Sequence, residues 1–343
     1  MPSPSDYRKE LLDVEVGYGL MSLTWRKDPL PAEKVFPTMK KVVEKAGNKK
    51  ALFNVGEFYG PHLANYKLLQ SFFDKYPEDR KKVIISAKGG VNVETLQPTG
   101  DADSISASIE NALKVFGGYL DIYEPARIDL ALAEKNGEKL FPRETFDTIV
   151  KYIKDGKVGG FSLSEVTNEQ IRAIYEEYGE YLACVEVELS IASPEIISNG
   201  ILDTCNEFGI PVVAYAPLGR GLLTGSLKST ADIPEGDFRG QLKRFQDDAI
   251  AHNLTLVKFL QDEIAAKRSD NPVLPQVAIG WVRGLRREYP KTNIIPIPSG
   301  SSVEKVSVNF DHIDLSDDEM SKIKDFLKSF KIAGDRYEFA QAH

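Results

Sequence analysis

Short apolar runs rich in β-branched residues alternate along this chain with longer stretches whose apolar positions recur every three or four residues. The short runs lie at 16–25, 51–54, 83–87, 120–124, 158–163, 184–189, 211–216 and 294–297, and they predict eight strands. The longer stretches predict helices over 35–46, with Gly47 and Asn48 as a stop signal, over 63–73, and from Asp103 or Ser104 with Ile105, Ile109, Ala112, Leu113 and Phe116 on one face. Further helices are predicted over 141–154, over 167–177 with Thr167 as N-cap and Gln170 three residues later, over 194–208 with Pro194 in the first turn and Gly209 after the end, and over 303–309. Between the seventh and eighth strands lies an insertion with a polar loop, 226–246, and two helices, about 249–267 and 276–284.

Eight strands, each followed by a helix, are what an α/β chain needs to close a (β/α)8 barrel, the TIM-barrel fold, with the insertion between strands seven and eight as its one large elaboration. A doubly wound open sheet is the competing architecture, and it calls for a GxGxxG turn after an early strand. The nearest match, Gly219 to Gly225, comes late and has its third glycine one place too far. No shift in composition marks a linker, so residues 1–343 are expected to form one domain with a polar tail at 1–15 and another at 330–343.

Composition narrows the function. The chain of 343 residues is 42% hydrophobic and 27% charged, as expected of a globular protein, and no apolar run approaches the roughly 20 residues of a membrane helix. A polar start without an apolar leader and an unremarkable C-terminus make the cytosol the default compartment, with nuclear access open. A formal charge of −8 argues against nucleic acid and anionic membranes as partners, while leaving room for a local basic pocket that grips a phosphate. Cys184 and Cys205 fall in core segments and suit reduced, buried thiols. The four histidines, His62, His252, His312 and His343, have no paired spacing with them, so no zinc site is expected. Nothing in the pattern specifies an oligomeric state.

Candidate chemistry concentrates in ALFNVGEFYGPH, residues 51–62, where an apolar strand passes through Asn54 and runs into a turn carrying Tyr59. The strand VIISAK then ends in Lys88, closed by Gly89 and Gly90. If the two strands are parallel neighbours, a phenol and an ammonium reach the C-terminal rim of the barrel, where such folds build their sites. Each residue alone is as consistent with packing or a solvated charge.

Several motifs in order, from about residue 16 to 309, make this chain resemble the aldo-keto reductases. They are FNVGEFYG, VIISAK, YLDIYEPARID, SLSEV, AYAPLGRGLLTG, GDFR with a following RF, QVAIGW and IPIPSGSSVEKVSVN. Within that family the GYGLMSLTW opening and the EGDFR loop are most similar to the fungal pyridoxal reductases, or pyridoxine 4-dehydrogenases. The resemblance implies an NADPH-dependent reductase acting on a small aldehyde, or on an alcohol in reverse. Tyr59 becomes the proton donor and Lys88 its tuner. An ammonium about 4 Å from a phenol favours phenolate by about 4 kcal/mol at an effective dielectric of about 20, or about 3 pKa units.

Two positions depart from the family's pattern. Asn54 stands in place of the aspartate that holds the lysine charged; it is expected to accept a hydrogen bond from Lys88, and the lysine pKa to fall. Ala126 stands in place of a histidine and leaves room for a bulky ring or an ordered water, with His62 or Glu124 as candidates for the missing polar contact and Trp25 as a further substrate contact. On the cofactor side the resemblance places Ser164, Glu165 and Glu186 at the carboxamide, Tyr215 against the nicotinamide face, and Leu218, Arg220 and Gly221 at the pyrophosphate. Ser299, Ser301, Ser302 and Lys305 cluster at a helix N-terminus suited to a 2′-phosphate, which favours NADP, and Asn309 would read the adenine edge. Three other readings stay open: a reductase of another substrate class, a cofactor-binding regulatory barrel with little turnover, and a lyase using Lys88 as a Schiff-base amine.

Overall fold

The computed structural model describes residues 2–336. Eight parallel strands follow one another round a single sheet in chain order: β1 Tyr18–Gly19, β2 Ala51–Gly56, β3 Val83–Gly89, β4 Leu120–Pro125, β5 Val158–Ser164, β6 Leu182–Glu188, β7 Val212–Tyr215 and β8 Ile294–Pro296. Gly17 and Gly19 donate their backbone N–H groups to the carbonyls of Pro296 and Pro298, at 2.9 and 3.3 Å, which brings the first strand to the last. A Cβ at Gly19 would lie 2.9 Å from the carbonyl oxygen of Ile297, so only glycine admits this approach. The fold is a (β/α)8 barrel.

The outer helices are preceded by α1 Pro4–Leu12, followed by α2 Ala32–Ala46, α3 Ala64–Lys75, α4 Ala102–Val115, α5 Arg143–Lys154, α6 Asn168–Tyr178, α7 Ile201–Phe208, α8 Asp247–Phe259, α9 Leu274–Gly284, α10 Val303–Phe310 and α11 Asp317–Ser329. Short helical turns at Met21–Thr24 and Leu130–Lys135 sit in loops after β1 and β4. Thr167 caps α6 with Gln170 returning the bond, as the sequence predicts. No helix among the described residues is long and apolar enough to cross a membrane. Both cysteines are buried and free.

The structure revises the predicted elements in three places. The run 16–25 yields a two-residue strand, because Leu20, Leu23 and Thr24 are buried while Met21 and Ser22 are exposed, a helical spacing that takes over after Gly19. The helix predicted over 194–208 is interrupted at Gly200, whose φ of 86° has no place inside a right-handed helix. Residues grouped with a polar N-terminal tail include α1, capped by Ser3 and Asp6. The tail at 330–343 is described only to Arg336, and His343 lies outside the described residues.

Strand parity divides the barrel interior into levels. Leu52, Ile84, Ile122, Cys184, Val213 and Ile295 form an apolar floor, closed from below by Tyr7 and Leu11 of α1. Tyr7 donates to the Asp121 carboxylate at 2.7 Å, and Arg8 donates to the carbonyls of Gly179 and Leu182. Two residues further along the same strands the lining changes character, to Asn54, Ser86, Glu124 and Glu186, all buried. That change from hydrocarbon to polar groups defines the end of the barrel at which chemistry is possible.

Candidate active site

Lys88 reaches the barrel interior from β3, opposite Gly56 of β2 in the parallel register. Its backbone carbonyl accepts from the N–H of Glu57 at 2.8 Å and from the hydroxyl of Tyr66 at 2.7 Å, which fixes the strand end. Tyr59 lies in the turn after β2 and folds back, so that a Cβ at Gly56 would lie 2.7 Å from its ring. Buried Asn65 holds this turn in place. It accepts from the N–H of Gly56 at 3.0 Å and donates to the hydroxyl of Thr24 at 2.8 Å; Thr24 in turn donates to the carbonyl of Tyr59 at 2.6 Å. The indole of Trp25 stacks on the Tyr59 ring with centroids 5.5 Å apart, and Phe58 meets the indole edge-on at 5.7 Å.

The Lys88 ammonium is 5% exposed as a residue, which would ordinarily drive off its proton. Burial does lower its pKa, but Glu124, Glu186 and Tyr59 outweigh it and raise that pKa well above the usual lysine value. The ammonium forms an ion pair with Glu186 and lies 3.2 Å from Glu124. Burial, followed by the neighbouring Glu124, raises the Glu186 carboxyl, while Lys88 opposes the rise. Ser86 donates to the other oxygen of Glu124 at 3.3 Å. The Lys88 ammonium also faces the Tyr215 ring, 5.5 Å from its centroid.

Asn54 differs from the sequence expectation. It is not an acceptor for Lys88; its Nδ2 donates to Glu186 at 2.6 Å, and the lysine pKa rises instead of falling because the carboxylates arrive from β4 and β6. Glu124 is fully buried, on the same level of the barrel as Ser86 and Glu186, and β4 ends at Pro125, so strand parity does not extend to Ala126. Ala126 is buried with its N–H on the carbonyl of Gly89 at 2.9 Å, and His62 is exposed on the rim with φ of 54°.

The residues expected at a cofactor line one side of the same mouth. Ser164 ends β5 buried, and its Oγ has no partner among the described residues. Glu165, at φ 52°, accepts from the N–H of Glu188 at 3.2 Å and from Arg336 at 3.1 Å. Burial would raise its carboxyl, but Arg336 and Arg127 hold it below the ordinary value. Arg220 forms a two-pronged pair with Glu188 at 2.9 and 3.0 Å, within a turn after Leu218 where Arg220 and Gly221 both take positive φ. The Tyr215 hydroxyl donates to Glu188 at 3.4 Å. Glu188 and Arg336 were absent from the sequence reading. Glu188 had a signal, since Glu186 and Glu188 share one face of an otherwise apolar strand, but Arg336 follows the last helix with no local cue.

After β8, which pairs with β7, Ser302 caps α10 by accepting from the N–H of Lys305 at 3.3 Å. Ser299 exchanges a hydrogen bond with Ser22 at 2.6 Å, and Asn309 donates to the carbonyl of Ser299 at 3.1 Å. Ser301 is half-buried and Lys305 exposed, both at the start of this helix. A buried cation, two buried acids and a phenol therefore share one end of the barrel, where Ser164 also lies without a partner among the described residues.

The aldo/keto reductase family profile matches residues 15–328. This chain belongs to that family. Over 346 aligned residues, 98% of this chain and 100% of the relative, the reductase is 50% identical to the Saccharomyces cerevisiae protein named "Putative pyridoxal reductase". "Probable pyridoxal reductase 2" of Schizosaccharomyces pombe is 32% identical over 332 residues, 94% of each chain. Among solved structures the reductase resembles a glycerol dehydrogenase from Gluconobacter oxydans, with TM-score 0.75 and 18% identity over 95% of both chains. An aldo-keto reductase from Bacillus halodurans matches with TM-score 0.68 and 16% identity, covering 96% of this chain and 94% of that one. At those identities the structural likeness speaks for the fold, and it agrees with the barrel described above.

Proposed function

We propose that this aldo-keto reductase uses NADPH to reduce an aldehyde, pyridoxal first among the candidates, and that it oxidises the corresponding alcohol in reverse. The observation that carries this reading is a buried lysine whose charge is maintained within electrostatic reach of Tyr59 at the polar end of the barrel. When bound, NADPH supplies a hydride to the carbonyl carbon. Tyr59 gives its proton to the carbonyl oxygen as that oxygen gains the electron pair, and Lys88 stabilises the phenolate left behind. In the alcohol-oxidising direction the phenolate takes the proton back.

The residues present fit the cofactor. The Ser164 hydroxyl, buried without a partner among the described residues, is left to bond a carboxamide, and the Tyr215 ring beside Lys88 offers a flat face for a nicotinamide. Ser301 and Lys305 at the start of α10 suit a 2′-phosphate, since helix N-terminal N–H groups and an ammonium both favour the anion. Replacing both residues, Ser301→Ala with Lys305→Ala, is expected to weaken NADPH by about 30- to 100-fold while NADH changes less than about threefold. Fluorescence titration with each cofactor measures the difference, and equal losses would remove the phosphate from this helix.

Pyridoxal is favoured by the names of the two yeast relatives and by the pocket. Ala126 contributes no donor and little volume, and Trp25 and Phe58 present aromatic surfaces beside Tyr59, which suits a flat ring that carries its own polar groups. The test is a panel of aldehydes including pyridoxal, followed by loss of NADPH absorbance in a single turnover. No reaction at any pH with NADPH demonstrably bound would make the chain a binding module.

A further inference from the structure

Lys88 has no acid on β2, its neighbour in the sheet, because Asn54 offers only an amide. Its charge is matched instead from β4 on its other side and from β6 across the barrel, by Glu124 at 3.2 Å and by direct pairing with Glu186. Asn54 completes the arrangement by donating to the second oxygen of Glu186 at 2.6 Å, so the amide anchors the acid that holds the lysine. We propose that Glu186, anchored by Asn54 and backed by Glu124, is a positioning residue that keeps Lys88 an ammonium beside Tyr59. The assignment rests on the reading of Tyr59 as proton donor, and it gives Glu186 a task other than holding a nicotinamide carboxamide.

The chemistry of the two groups separates those tasks. A glutamine can donate to a carboxamide oxygen and accept from its nitrogen, whereas an ionised glutamate can only accept. Here one carboxylate oxygen faces an ammonium and the other an amide N–H, and the residue is 1% exposed. The other groups facing the ammonium are Glu124 on β4, the phenol of Tyr59 and the ring of Tyr215 on β7. Of these groups only Glu124 and Glu186 are acids whose ionisation can balance the ammonium. Removing them would leave a buried ammonium without compensation, and such lysines lose their proton.

Lys88 can be read directly in the unliganded protein, with lysine labelled by carbon-13 at Cε and the Lys88 signal identified by its disappearance in Lys88→Met. In the unsubstituted protein the signal should stay at its charged position past pH 10. In Glu186→Gln the midpoint should fall by about one pH unit or more, and in Glu124→Gln/Glu186→Gln by about two or more. Asn54→Asp/Glu186→Gln moves the acid to β2 and should restore the midpoint. An unshifted midpoint in Glu186→Gln overturns the proposal.

Turnover supplies a second readout. Glu186→Gln should lower kcat at least about tenfold and displace its pH profile, with KM for NADPH within about twofold, and Asn54→Asp should recover most of the loss. An altered KM with unchanged kcat would return Glu186 to the cofactor and overturn the assignment. If Glu186→Gln does not fold, a folded Asn54→Asp/Glu186→Gln with the unsubstituted midpoint supports the charge role, and failure of both to fold overturns it. An unsubstituted protein that binds NADPH yet reduces no aldehyde would refute the reductase reading, while the lysine midpoint still decides whether Glu186 holds the charge.

Discussion

Tyr59→Phe is expected to lower single-turnover reduction of pyridoxal by about 10²- to 10⁴-fold while leaving NADPH affinity within about twofold. The substitution removes one oxygen and keeps the ring, and it is the ring that packs against Gly56 and Trp25. The turn carrying residue 59 is tied down through its backbone carbonyl and through Asn65, neither of which the change touches. The fold should therefore be kept, and on the proposed mechanism what disappears is the proton donated as the hydride arrives. On the proposed mechanism the loss is largest near neutral pH, where a charged Lys88 would favour the phenolate left after proton transfer. Stopped-flow loss of NADPH absorbance gives the rate, and fluorescence titration gives the affinity. Turnover within about threefold of the unsubstituted protein would remove Tyr59 from the chemistry and leave the other residues at the mouth to be tested as the donor.

Most of this site is legible as a strand pattern in the sequence. Tyr59 comes three residues after β2 and Lys88 lies at the end of β3, so reading two apolar runs as parallel neighbours was enough to bring them to one rim. Parity picks out Glu124 on β4, although it does not extend past Pro125 to Ala126, and the same rule points to Glu188 once Glu186 is placed. What parity does not contain is which groups meet across the barrel. Asn54 on β2 and Glu186 on β6 are separated by 132 positions, and whether the amide meets the lysine or the carboxylate depends on side-chain reach across a closed interior. Arg336 lay further out of range, since its pairing with Glu165 depends on how the chain returns after α11. For the fold, β-branched runs marked seven strands well. The first was obscured because burial at 20, 23 and 24 mimics an apolar strand in a window that also contains β1. α1 carried its own local signal, a serine cap returned by Asp6 and the i,i+4 pair Tyr7 and Leu11, but its mean polarity hid it.

Lys88→Met is expected to reduce stability by an amount that depends on pH, which separates loss of charge from loss of packing. In the unsubstituted barrel the ammonium lies against two buried carboxylates, and its own raised pKa means that its contribution persists until pH climbs well above 10.5. Without it, Glu124 and Glu186 share an apolar-floored interior without the ammonium that opposed the rise of the Glu186 carboxyl, and that carboxyl must titrate at higher pH than before. A carboxyl whose folded pKa is raised costs nothing below its unfolded value near 4.5; its cost grows as pH rises from there to the folded value and is constant above it. The deficit of Lys88→Met should accordingly be small at about pH 5, where the pair can hold protons, and reach about 3–5 kcal/mol at about pH 9. Urea unfolding of both proteins at the two pH values gives the deficits directly. Adding Glu124→Gln and Glu186→Gln to Lys88→Met should flatten the dependence, because neither carboxyl beside residue 88 then remains to ionise; a deficit of equal size at both pH values in Lys88→Met would mean that the lysine stem, and not its charge, holds this end of the barrel together.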